Sequence, residues 1–158
     1  MTAILERLVA RSPQGGVYEA RAFFDSGDPF AVQLHFRLPS DADDHGGRPE
    51  PADPDAAETS WTVWLLARDL LALSLSRHLR ALDAPVGDGQ ISLGPAEDDA
   101  YLAVVLYPAD PRLRAEVHIR RAELVTFLTR SAHLVAFGAE SQYLDFDAMV
   151  RALLKESA

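Results

Sequence analysis

The chain has 158 residues, enough for one domain and too few for two joined by a linker. With 48% hydrophobic residues it can fill a core, which excludes disorder over most of its length. Its 24 acidic against 15 basic side chains, a net charge of -9, put nucleic-acid and anionic-membrane binding at a disadvantage. The absence of cysteine excludes disulfides, thiolate zinc sites and a cysteine nucleophile.

Ile4, Leu5, Leu8 and Val9 suit a helix or a strand, and so short a run does not choose between them. Glu6, Arg7 and Arg11 interrupt this segment, and no later run reaches the ~18 apolar residues of a membrane span. The expectation is a cytoplasmic protein without direct membrane insertion. Tyr18, Ala20, Ala22 and Phe24, then Val32, Leu34, Phe36 and Leu38, alternate with more polar neighbours at the period of a strand with one wet face. Ser26-Gly27-Asp28-Pro29 between them carries turn chemistry, so the two runs predict an antiparallel hairpin. From 39 to 59 the chain carries seven acidic residues against Arg48 alone, broken by Pro39, Pro49, Pro51, Pro54, Gly46 and Gly47. This reads as a flexible acidic loop holding most of the net charge.

Trp61 to Leu66 offers apolar side chains to both faces, and Tyr101 to Tyr107 has no polar position apart from its tyrosine hydroxyls. Strands of this kind are expected to be covered on both sides, by helices of the same chain or by a neighbouring subunit. Gln90 to Leu93 predicts a short strand, and Ala115, Val117 and Ile119 predict a half-buried one. Three helices follow from spacing. Leu71, Leu75, Leu79 and Leu82 follow Asp69, with a break midway allowed; Leu124, Leu128, Ala132 and Val135 follow Glu123; Phe146, Met149, Val150, Leu153 and Leu154 follow Asp145 as N-cap. Strands that do not alternate regularly with helices predict an α+β domain with mainly antiparallel pairing and about three helices.

The search for chemistry yields little. Gly87-Asp88-Gly89 lacks the lysine and helix of a phosphate loop and reads as a tight turn, and no G-x-S-x-G elbow occurs. Asp41, Asp43, Asp44 and His45 match no metal-ligand spacing and read as hydrated loop. Glu116 and His118 share one strand face and read as an exposed polar face, and His78 and His133 read as surface residues of their helices. Arg112, Arg114, Arg120 and Arg121 cluster, but Asp110, Glu116 and Glu123 dilute them, so salt bridging within the fold is expected. No catalytic residue, cofactor site or metal site is assigned. A small enzyme using Glu116, His118 or the 41–45 cluster, and a single-stranded nucleic-acid binder, are the competing classes.

Asp28-Pro29-Phe30-Ala31-Val32 and Trp61 through Trp64-Leu65-Leu66-Ala67-Arg68-Asp69-Leu70-Leu71 resemble the D-P-[YF]-A-V and W-x-[FL]-A-R-D-L-L signatures of the SsgA-like sporulation and cell-division proteins of actinobacteria. The run from Ala122 to Leu128 and the closing Phe146-Asp147 follow in family order, so the resemblance covers roughly Val17 to Leu154. It implies one SsgA-like domain over 1–158, a whirly-like fold, a trimer, no active site, and a role at division septa through recruitment of the tubulin-like GTPase FtsZ. The 39–59 loop and the 76–85 segment are longer than usual for that family, which leaves the subfamily open. The candidate partner or oligomer interface is Trp61, Trp64, Arg68, Asp69, Tyr101 and Tyr107, with core packing for Trp64 and a helix-end salt bridge and cap for Arg68 and Asp69 as the plainer alternatives.

Overall fold

The computed structural model describes residues 2–37, 61–76, 85–87, 89–143, 145 and 151. Strands β1 (Ala3–Arg11), β2 (Val17–Asp25), β3 (Ala31–Arg37) and β4 (Trp61–Ala67) run into a short helix α1 (Arg68–Ser74). Strands β5 (Val86–Gly87), β6 (Ile91–Pro95), β7 (Tyr101–Leu106) and β8 (Ala115–Arg120) follow, then helix α2 (Arg121–Leu134) and a 3-10 turn at Glu140–Tyr143. The class is α+β, with an antiparallel sheet throughout.

The ambiguous N-terminal run is a strand, because β2 offers it a partner along its whole length, from Ala3 opposite Asp25 to Arg11 opposite Val17. The turn between them uses Gly15 at φ +93°, a conformation that costs other residues energy. The predicted hairpin is β2–β3. Its turn is held by the Gly27 amide donating to Asp25 Oδ1 at 2.9 Å and the Asp28 amide donating to Asp25 O at 3.0 Å. β4 returns beside β3, Trp61 opposite Arg37 and Ala67 opposite Ala31.

A second meander, β5 to β8, joins the first where Ala10 and Arg11 of β1 meet Ile119 and His118 of β8. One sheet of eight strands results, in the order β4-β3-β2-β1-β8-β7-β6-β5. It curls, since Trp64 of the terminal strand β4 touches Tyr107 just past β7, ring centroids 5.0 Å apart at 74°. Gly87 closes β5 and Gly89 precedes β6, while Asp88 between them lies outside the described residues. A Cβ at Gly87 would lie 2.0 Å from the Ile91 carbonyl oxygen, which explains glycine there without any phosphate.

The inward face of the curl carries the alternate residues that periodicity selected: Ala20, Ala22 and Phe24 of β2, then Val32, Leu34 and Phe36 of β3. Helix α2 closes it with Leu124, Phe127, Leu128 and Ser131, the three-and-four spacing of a buried helical stripe. The helix predicted from Leu71 ends at Ser74 with Leu75 as its C-cap; Leu79, His78 and Leu82 lie outside the described residues. So do the acidic loop 39–59 and, apart from the helical Arg151, the predicted helix 146–154, which leaves α1 and α2 as the helices with described extents.

The two apolar strands differ. β7 buries Leu102, Ala103, Val104 and Leu106 within the chain, and thus has its cover. β4 does not: Trp64 and Leu66 are buried, whereas Val63 and Leu65 of the opposite face are 53% and 60% exposed. Strand β4 is terminal in the sheet and, among the described residues, no helix lies over its outer face.

Candidate functional site

The chain passes from β4 into α1 with no intervening loop, Ala67 serving as N-cap without a side-chain cap. Trp64, Leu66 and Arg68 share the parity of an extended strand, so Arg68 points into the same interior as the tryptophan and leucine. The backbone amide of Arg68 donates to Phe30 O at 2.8 Å, which fixes its position against the end of the β2–β3 hairpin.

Arg68 is only 1% exposed. Its Nε donates to Ser131 Oγ at 3.2 Å, Nη2 to the Val135 carbonyl at 2.7 Å, and Nη1 reaches Glu140 Oε1 at 3.5 Å. The guanidinium also faces two rings, Phe24 at 4.8 Å and Phe137 at 3.9 Å from the ring centroids. Burial pulls its pKa down, and the charges of Glu140 and then Asp69 pull it back up. A planar fork satisfied by a hydroxyl, a carbonyl and a carboxylate ties β4 and α1 to the end of α2 and the 3-10 turn. The Val135 carbonyl just past α2 also places the cation at the negative end of that helix.

This corrects the reading of Arg68 as a surface anchor and fits the plainer one, a helix-end salt bridge. Its ion pair is with Glu140, 72 residues away, and that carboxylate is buried too. Asp69 is exposed in the first turn of α1, where it meets the helix dipole, but it is not the cap. Glu140, Ser131, Phe24 and Phe137 were not among the predicted site residues. Strand parity carried through Arg68 is the signal that points inward; nothing local identifies the acceptors.

The other candidates do not converge on one site. Trp64 and Tyr107 form the edge-to-face pair already described; Trp64 is 8% exposed and its buried Nε1 has no hydrogen-bond partner. Tyr107 is the one positive-φ residue besides glycine among the described residues, at 48°. Trp61 lies on the outer face, where the Arg21 guanidinium stacks 4.1 Å from its ring centroid. Tyr101 is five strands away in the sheet order, its hydroxyl accepting from Arg120 Nε at 3.5 Å and its ring 5.5 Å from the Arg11 guanidinium.

Glu116 and His118 do meet, Oε1 to Nε2 at 2.9 Å, and Arg114 adds a contact to the second carboxylate oxygen at 3.4 Å. The group lies partly exposed on β8. Arg121 donates to the Ser74 carbonyl at 3.2 Å, so three of the cluster's four arginines, Arg114, Arg120 and Arg121, are spent on a salt bridge, a hydroxyl and a carbonyl. Among the described residues, no three His, Asp or Glu side chains stand together as metal ligands. No helix among them is long and apolar enough to cross a membrane.

The outer face of β1–β4 has a distinct chemistry. Leu5, Phe23, Gln33 and Leu65 lie in register across it; the adjacent row is Arg7, Arg21, His35 and Val63, and the next is Val9, Glu19, Arg37 and Trp61. Glu19 pairs with Arg37 at 3.5 Å. Burial, and then the Arg21 charge, holds the His35 pKa below its ordinary value. The unfolded chain therefore takes up this proton first as pH falls. Stability should drop below pH about 6.5 and level off once the lower folded value is passed. Urea melts of the parent and His35→Gln across that range check this: the variant should lose less stability on the acid side, and identical profiles would remove His35 as the cause.

A curled antiparallel sheet closed by helices, with one face left open in the single chain, defines a small α+β domain. The chain belongs to the SsgA family, described as Streptomyces sporulation and cell division protein, whose model matches residues 19–140. It is 29% identical over 131 residues to the sporulation-specific cell division protein SsgB of Thermobifida fusca, covering 83% of this chain and 77% of that one. To SsgB of Saccharopolyspora erythraea it is 29% identical over 153 residues, covering 97% and 89%. A solved structure from work on Streptomyces coelicolor, where mutations in SsgB correlate to longitudinal cell division during sporulation, superposes with a TM-score of 0.63. Identity there is 25%, over 90% of this chain and 96% of that one.

Proposed function

We propose that this chain is a non-catalytic regulator of sporulation-specific cell division that positions or promotes the septum through protein contacts. Family membership over residues 19–140 carries the division role, since the matched relatives are named for it. The contact mechanism is supported by the surface: the candidate chemistry is dispersed or buried, while an apolar and cationic sheet face stays open in the single chain.

The working partner is FtsZ, and the working form is a homo-oligomer, a trimer. Repeating one weak site on a symmetric assembly raises effective concentration along a filament by orders of magnitude without catalysis. Trp61 belongs to the contact surface; Trp64, Arg68 and Tyr107 act by shaping the strand and junction behind it. The single-stranded nucleic-acid reading has little support, because the net charge is -9 and the arginines near Tyr101 are engaged within the fold. The test is pelleting of the purified chain with FtsZ filaments, with light-scattering mass measured on the same samples.

A further inference from the structure

On the outer face of β1–β4, Arg7 and Arg21 stand directly opposite one another in the register. Cross-strand neighbours on one face are close, roughly 5 Å between Cβ atoms, and like charges so placed repel. Neither arginine forms an ion pair with a carboxylate among the described residues, and the one glutamate in this part of the face, Glu19, is taken by Arg37. Arg21 is held in place by its stack on Trp61. A shallow cavity of about 320 Å³ lies over the β1–β2 seam, rimmed by Arg7 and Arg21 and walled by Val9, Val17 and Trp61. Beside this cationic row stand exposed apolar side chains, Leu5 and Leu65 in one flanking row, Val9 in the other and Val63 at the row's own end, and the row of Val9 also carries the exposed Glu19–Arg37 pair, Glu19 lining the cavity.

We infer that this face docks an extended acidic and apolar segment of a protein partner, its carboxylates on Arg7 and Arg21 and its apolar side chains on Val9, Val63 and Leu65. A carboxylate between the two arginines removes their repulsion, and the planar fork of each suits bidentate pairing. Alternate residues of an extended segment project to one side, so acid and apolar groups can meet their rows in turn. A phosphate polymer fits less well: it would leave the leucines and valines uncovered and would find two half-buried rings, Phe23 and Trp61, the second already stacked by Arg21, where a stacking platform needs several open ones. The inference deepens the proposed contact function by stating the chemistry of the partner segment.

The probe is a fluorescein-labelled, amidated peptide of about ten residues alternating glutamate and leucine, titrated by anisotropy against the full chain. Saturable binding is expected, weakened at least about tenfold by Arg7→Gln with Arg21→Gln and, separately, by Leu65→Ser. Substituting lysine for glutamate in the peptide should abolish it. The double arginine variant should melt no lower than the parent, since repulsion is relieved, which separates lost binding from lost folding. No saturable binding, equal binding of the lysine peptide, or indifference to the arginine changes would overturn the inference. Tighter binding of an oligodeoxythymidylate, or a change in oligomer mass in place of peptide affinity, would also overturn it and reassign the face. Failure here with filament pelleting intact removes this surface and leaves the division role; peptide binding without pelleting removes FtsZ and leaves the surface.

Discussion

Arg68→Ala should destabilise the protein by about 3–5 kcal/mol, a large share of the ~5–15 kcal/mol that holds a typical domain together. The change removes a guanidinium that satisfies Ser131 Oγ, the Val135 carbonyl and Glu140, and it leaves the Glu140 carboxylate buried without its counter-charge. Desolvation makes an orphaned carboxylate costly, whereas an apolar pair of similar volume need not be. Arg68→Met combined with Glu140→Leu should therefore recover much of the loss. Arg68→Lys should not, because a compact ammonium cannot span three acceptors in different directions. Urea denaturation of the three variants reads this out. A loss below about 1 kcal/mol for Arg68→Ala would show that the buried cation is not the tie between the β4–α1 junction and α2.

Trp64→Ala should cost about 3–5 kcal/mol, because a large ring is removed from a well-packed seam where the curled sheet meets itself. Trp64→Phe tests a separate feature. The indole Nε1 is buried without an acceptor, so phenylalanine gives up a polar group that is already unsatisfied and keeps most of the apolar contact. Its cost should be about 1 kcal/mol, the smaller ring's void being partly offset by the removed N–H. Equal losses for alanine and phenylalanine would mean that the indole nitrogen is bonded in solution. Both changes bear on partner binding only through the shape of β4.

Much of the fold was legible because a curled sheet preserves the simplest periodicity. Alternation in 18–24 and 32–36 picked the inward residues of β2 and β3, and the stripe through Leu124 and Leu128 picked the buried side of α2. The N-terminal run was undecidable locally, since its strand exists through pairing with β2, a contact absent from its own residues. For Arg68 a helix-end salt bridge was legible, but its partner and its burial were not. The acceptors that justify its burial stand 63 to 72 residues later, on α2 and the turn beyond it. The open face of β1–β4 was half legible. Apolar residues on both sides of β4 were evident, but only the registers bring Arg7, Arg21 and His35 into one row.

Co-sedimentation of the full chain with GTP-assembled FtsZ filaments is the decisive measurement. The account expects a saturable fraction in the pellet that depends on filament formation, disappears when FtsZ is kept unassembled, and comes from a species heavier than one chain. A chain that stays in the supernatant at every filament concentration, as a monomer by light scattering, would contradict it.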